Sequence, residues 1–203
     1  MSDLIALDLF CGAGGATKGL QRAGFTVIGV DIKPQPRYCG DAFFQADAMT
    51  FPLEGFDFIW ASPPCQAWSE ATPIEARKNH PKLIAPIRDR LETSGVPYVI
   101  ENVKGARSQL VNPIVLCGTM FGLDVWRHRW FECILPLSVN LECRHIGHPV
   151  VVSGSAHGRG EAKIPEMRRA MDVPWMLLRK ECREAIPPAY SEYIGRQIVE
   201  YLR

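Results

Sequence analysis

A chain of 203 residues is long enough for one domain with a core of its own. Its 23 basic and 22 acidic residues leave a formal net charge of +1, which argues against tight non-specific phosphate binding while leaving room for a local basic patch. No apolar run approaches a membrane span, and the N-terminus lacks the features of a signal peptide. The seven scattered cysteines, an odd number, fit free thiols in a reducing cytoplasm better than a disulfide framework.

In chain order, Leu4 to Phe10 reads as a buried strand and Gly14 to Ala23 as a helix that Gly24 stops. Phe25 to Asp31 is a second strand, Ala42 to Asp47 a weaker one and Asp57 to Ala61 a further clear one. Pro81 to Ser94 reads as a helix with Leu83, Ile84, Ile87 and Leu91 on one face, stopped by Gly95, and Val96 to Glu101 as another buried strand. Strands alternating with helices predict a mostly parallel sheet with helices on both faces. Beyond Asn102 the pattern loosens. Arg127 to Ile134 and Val150 to Ser153 are expected as strands, and Ile164 to Met171 and Trp175 to Ala185 as short helices. A last helix after Pro187-Pro188 carries Tyr190, Ile194, Ile198 and Tyr201 or Leu202 along one stripe.

Four places along this frame carry candidate chemistry. The turn Asp8-Leu9-Phe10-Cys11-Gly12-Ala13-Gly14-Gly15 joins a strand to a helix, where glycines admit a ligand close to the backbone and the helix N-terminus offers free N–H groups. Asp31 ends the next strand, where an acid can bind ribose hydroxyls, and Asp47 follows the one after. Cys65 follows Pro63-Pro64 at the end of an apolar run, so a stiff loop presents its thiol where open α/β sheets bind ligands. Glu101 ends another strand, with Asn102 placed to orient it, and Arg127 and Arg129 share a face if their segment is extended. A fifth group, Cys133, Cys143, His145 and His148 with His157 further on, has zinc-type ligands without tight spacing. Hydrogen-bonded loop residues are the expectation there, and no metal.

Taken together and in this order, these segments resemble the cytosine-5 DNA methyltransferases that use S-adenosylmethionine. The matching segments are the glycine turn, Asp31, Asp47, Pro63-Pro64-Cys65-Gln66, Glu101-Asn102-Val103, Arg127-His128-Arg129, and Ala185-Ile186-Pro187-Pro188-Ala189 with Ile194-Gly195. The resemblance implies the Rossmann-like α/β methyltransferase fold and a single catalytic domain over residues 1–203. It implies S-adenosylmethionine bound by Phe10, Cys11, Gly12, Gly14, Asp31, Ile32, Asp47, Ala48 and Pro64. Cys65 would be the nucleophile toward a cytosine flipped from duplex DNA, with Glu101 on its N3 edge, Arg129 on O2 and Arg127 supporting the same loop. One branch of the family acts on tRNA, so RNA stays open as substrate, as does a catalytically silent binding homologue. A zinc-stabilised nucleic-acid-binding module is a further alternative.

Two departures from the pattern matter. Only residues 132–160 are available for target recognition, which predicts relaxed or very short specificity, or help from a partner or second subunit. Arg183-Glu184 stand where the family usually has Gly-Asn, so either a shifted loop turns them to solvent or the cofactor contact is altered.

Overall fold

Five apolar runs form parallel strands: β1 (Leu4–Leu9), β2 (Phe25–Asp31), β3 (Ala42–Gln45), β4 (Phe58–Ala61) and β5 (Tyr98–Asn102). The computed structural model, which describes residues 4–154 and 160–203, adds two strands, β6 (Ile114–Leu116) and β7 (Arg129–Cys133). The sheet order is β3-β2-β1-β4-β5-β7-β6, with β7 antiparallel to both of its neighbours. The order reverses between β1 and β4, so loops at their carboxyl ends flank the crevice where such sheets bind ligands.

The helices are α1 (Gly15–Ala23), α2 (Ile74–Arg77), α3 (Ile84–Ser94), α4 (Ile164–Met171), α5 (Arg179–Glu184) and α6 (Pro188–Leu202). Strand alternation divides the core between two faces. Ala6, Phe58, Trp60 and Val99 pack with Leu20 of α1 and Tyr190, Ile194 and Ile198 of α6. Leu7, Leu9, Ile59 and Ile100 pack with Ile84, Ile87 and Leu91 of α3. Helices therefore cover both faces, as the alternation of elements predicts.

Some boundaries depart from expectation. α3 starts at Ile84 rather than Pro81, and Pro86 is the reason. In the first turn its missing N–H has no partner to lose, whereas a helix begun at Pro81 would drive the ring into the preceding turn. Val150 to Ser153 is not a strand. Val151 and Val152 are buried, Val152 beside Val125 and α4, with separate backbone bonds from Val150 to the Asp124 carbonyl and from Ala162 to the Val151 carbonyl. Trp175 to Leu178 lie outside α5, because the Trp175 indole turns inward and donates to the Ala13 carbonyl at 2.7 Å. β7 is shorter than expected at both ends.

α1 and α6 touch along small residues. A Cβ on Gly19 would overlap the Pro188 carbonyl and the Ser191 hydroxyl, and one on Gly195 would lie 2.9 Å from the Ala23 Cβ. The Ser191 hydroxyl donates to the Ala16 carbonyl at 2.8 Å. Overpacking of such a contact forces backbone shifts, so Gly19→Ala is expected to cost about 3 kcal/mol and lower Tm by about 10 °C in a scanning calorimeter. An unchanged Tm would show that the helices separate without cost.

Candidate active site

The glycine turn is built by backbone conformations that few side chains allow. Phe10 takes φ 60°, Gly12 52° and Gly14 91°. The Cys11 N–H donates to the Val30 carbonyl at 3.1 Å and the Gly12 N–H to Asp31 Oδ2 at 3.1 Å, joining the ends of β1 and β2. Asp31 Oδ1 accepts from the Lys33 N–H at 2.9 Å. A Cβ built on Gly12 meets nothing within 4 Å, so the turn opens onto free space, whereas one on Gly14 would meet Cys39 Sγ at 2.7 Å. Beneath the turn, burial pushes the Asp8 carboxyl up to about 7 against a hydrogen bond from the Thr17 hydroxyl. Burial, and then Asp8 and Asp31, likewise push the Cys11 thiol upward. Ile32, 65% exposed beside Asp31, and exposed Asp47, whose Oδ1 accepts from the Met49 N–H, stand at the same edge as buried Ala48.

The next strand ends supply the reactive groups. The Ser62 N–H continues the β1 ladder to the Leu9 carbonyl, and the Asn102 amide donates to the Pro63 carbonyl at 3.0 Å, pinning the proline-proline-cysteine loop to the end of β5. The Cys65 carbonyl then accepts from the N–H groups of Trp68 and Ser69, closing a turn that holds the half-buried thiol. Glu101 lies opposite Phe131 across the β5–β7 pair, and alternation puts Arg129 on the same face of β7 as Phe131. Arg129 Nε sits 3.0 Å from Glu101 Oε1. This contact is an ion pair without hydrogen-bond alignment, so Oε1 is buried with no hydrogen-bond donor. Burial raises the Glu101 pKa, opposed first by Arg129 and then by Arg127 and the Ser62 hydroxyl. Burial and then Glu101 push the Cys65 thiol up, while Arg129 and Arg127 pull it back.

Arg127 and Arg129 do not act as one pair on a strand. Arg127 precedes β7 and is buried, and its guanidinium donates to the carbonyls of Ala185, at 3.0 Å, and of Arg183. The Tyr190 hydroxyl donates to the Arg127 carbonyl at 2.5 Å. Arg127 thereby ties this loop to the Ala185-Ile186-Pro187-Pro188 segment. Arg183 and Glu184 end α5 rather than lying in a loop. The half-exposed Arg183 side chain pairs with Glu161, and burial raises the pKa of the Glu184 carboxyl, with Lys180 and Lys33 opposing the rise and Asp31 adding to it.

A cleft of about 420 Å³ opens beside these groups, with Arg127 and Arg129 on its wall. The cysteine–histidine group is not the one the spacing indicates. Cys143 and His145 belong to it, but their companions are Cys117 and His128, all four donor atoms lying within 4.8 Å of one another. Cys133 is instead the last residue of β7, opposite Val99, and burial pushes its thiol up to about 11. His148 is outside the group, and His157 lies outside the described residues.

The model of the C-5 cytosine-specific DNA methylase family matches residues 4–115, from β1 through the glycine turn, Cys65 and Glu101 to β6. The chain belongs to this family. The chain is also 32% identical over 120 residues to the type II methyltransferase M.AplI of Arthrospira platensis, a match covering 51% of the chain. It spans about a third (32%) of that relative's length. Among solved structures, the methyltransferase EhMeth of Entamoeba histolytica is similar with a TM-score of 0.67 at 11% identity, covering 100% of both chains. The Dnmt2 methyltransferase of S. pombe gives 0.63 at 15% identity, covering 98% of this chain and 99% of its own. At those identities the likeness is one of fold, the Rossmann-like fold of S-adenosylmethionine-dependent methyltransferases.

The glycine turn suits the family's cofactor, S-adenosylmethionine. The open space over Gly12, the acid at the end of β2 and the exposed apolar Ile32 offer a close backbone approach, a ribose partner and a surface for a flat ring. Sequence reasoning misses Asn102 as the pin of the cysteine loop, Trp175 behind the glycine turn, and both Cys117 and His128. His128 is hidden between two arginines that draw the attention, and Cys117 has no cysteine or histidine near it in sequence.

Proposed function

We propose that residues 1–203 form a single catalytic domain that transfers methyl from S-adenosylmethionine to C5 of cytosine in duplex DNA. In this reading 132–160 serves as a reduced target-recognition segment. The observation that carries it is the convergence of Cys65, Glu101, Arg129 and Arg127 beside the glycine turn, with a buried carboxylate oxygen lacking a donor of its own. Phe10, Cys11, Gly12, Gly14, Asp31, Ile32, Asp47, Ala48 and Pro64 would hold the cofactor, which supplies, when bound, the electrophilic methyl group that C5 takes up.

The chain's own residues act on the base. The target atom is hidden in a duplex, so the cytosine must leave the stack, and the cleft beside Arg127 and Arg129 supports such an entry. Cys65 Sγ adds to C6, forming a C–S bond and pushing the ring electrons toward N3 and O2, which makes C5 nucleophilic. Glu101, whose raised pKa favours the protonated form, donates to N3, and Arg129 faces O2. Once C5 is methylated, a base removes its proton, the C5–H electron pair re-forms the C5–C6 double bond, the C6–S pair leaves on Cys65 Sγ as thiolate, and N3 returns its proton to Glu101. Arg127 touches no reacting atom and positions Arg129. Among the described residues no helix is long and apolar enough to cross a membrane. None of the seven cysteines is in a disulfide, which supports work in a reducing cytoplasm.

The test is transfer of labelled methyl from S-adenosylmethionine to unmethylated duplex DNA, with tRNA in parallel and bisulfite sequencing of the DNA. Label at DNA cytosines in a short or relaxed sequence context is expected. Label on tRNA alone would replace the substrate, and no label on either, with the cofactor still bound, would overturn the reading.

A further inference from the structure

Cys117, His128, Cys143 and His145 come from three separate stretches of chain. Cys117 follows β6 and caps the 3-10 turn Gly118–Phe121, His128 sits between the two arginines, and Cys143 and His145 belong to a segment with no helix or strand. Cys117 Sγ lies 3.4 Å from His145 Nε2, and Cys143 Sγ lies 3.3 Å from His145 Nε2 and 3.5 Å from His128 Nε2. In a tetrahedral zinc site, Zn–S of about 2.3 Å and Zn–N of about 2.0–2.1 Å place sulfur and nitrogen about 3.5 Å apart. Three of the six donor separations thus match the edge of such a tetrahedron, all four donors lie within 4.8 Å of one another, and both imidazoles present Nε2.

The surroundings fit charged sulfur. The Thr119 hydroxyl lies 3.4 Å from Cys117 Sγ and 3.7 Å from Cys143 Sγ, a donor for either thiolate. The Trp126 ring stacks on His145 at 4.3 Å between centroids and 5° between planes, fixing the imidazole's plane. Thiols are weak donors, so thiol–imidazole hydrogen bonds alone are a poor anchor for a segment in which Cys143 and His145 are exposed.

We propose that these four residues bind one structural zinc ion that fastens the irregular segment around Cys143 to the loop carrying Arg127 and Arg129. Each cysteine gives up its proton to solvent on binding, and the sulfur lone pairs and imidazole nitrogens complete four coordination positions. With all four filled by protein, the ion has no open position for catalysis. His128 and His145 also line the cleft, so the ion would set the position of its wall. That last role rests on the methyltransferase reading; the site itself does not, since its test reads metal rather than methyl.

Untagged full-length protein expressed with zinc is expected to retain about one zinc per chain by elemental analysis, the stoichiometry of a four-ligand site. Refolding with cobalt(II) alone should give the visible bands of a tetrahedral ion and a thiolate charge-transfer band. Cys143→Ser and His128→Ala should bring bound metal to background, whereas Cys133→Ser and His148→Ala should keep it. Because Cys143 is exposed, its loss leaves the core intact, and circular dichroism verifies the fold of each variant. Trypsin cleavage after Arg144 should accelerate when the wild type is chelated. Four results would each overturn the site: wild-type protein without metal, metal retained by folded Cys143→Ser, loss through Cys133→Ser instead, or a Cys117–Cys143 disulfide in protein prepared under reducing conditions.

Discussion

Replacement of Cys65 by alanine is expected to lower methyl transfer to cytosine by on the order of 10⁴-fold or more, the scale of loss when a covalent nucleophile is removed. The fold should survive, because the loop around Cys65 is held by backbone groups and by Asn102 rather than by the thiol. The Pro63 carbonyl still accepts from the Asn102 amide and the Cys65 carbonyl still closes its turn. Duplex DNA carrying 5-fluorocytosine gives a sharper measurement. Fluorine at C5 leaves no proton to remove, so wild-type protein incubated with cofactor should stay bonded to the DNA on a denaturing gel. Cys65→Ala should show no such band. Transfer that persists in the variant would place the nucleophile elsewhere.

Glu101→Gln is expected to reduce kcat by about 10²- to 10⁴-fold, the usual contribution of a positioned acid. Glutamine keeps the size and one donor but cannot protonate the ring nitrogen. The sign of the pH effect follows from two groups that must hold opposite states. Burial keeps the Glu101 proton on to a higher pH than usual, and burial with Glu101 nearby keeps the Cys65 proton on as well. The active form has the acid protonated and the thiol ionised, so the pair shares one proton and the wild-type profile is bell-shaped. Glutamine removes one titration and leaves a single rise toward alkaline pH as Cys65 ionises. A variant that keeps a falling alkaline limb would show that another group sets it.

The order of the motifs makes much of this protein readable. Each lies at a strand end, and a parallel sheet brings strand ends to one edge, so Asp31, Cys65 and Glu101 gather without any knowledge of side-chain contacts. Reading fails where a residue's role depends on non-local pairing. β6 is three residues long and shows no period, so nothing in its composition reveals that it brings Cys117 to His128. Cys133 and His148 flank the true ligands in sequence, yet the register of β7 sets Cys133 opposite Val99. Arg127 and Arg129 look equivalent by spacing, but β7 begins only at Arg129, and the buried Arg127 turns to the carbonyls of Arg183 and Ala185. The expected start of α3 at Pro81 misses a signal that is local: Pro86 fits a first turn and no later position, which sets the start at Ile84.

The grip of Arg183, Ala185 and Tyr190 on Arg127 has a consequence for how the protein is made. Translation delivers Cys65 and Glu101 early, while the carbonyls and hydroxyl that hold the arginine loop arrive with the segment before α6 and with α6 itself. A nascent chain still lacking α6 carries the thiol without its counter-charges in place, and α1 shows solvent the small-residue face that α6 later covers. The arginine loop is therefore locked only when α6 leaves the ribosome and docks, so a ribosome stalled before that point yields a chain whose site is incomplete.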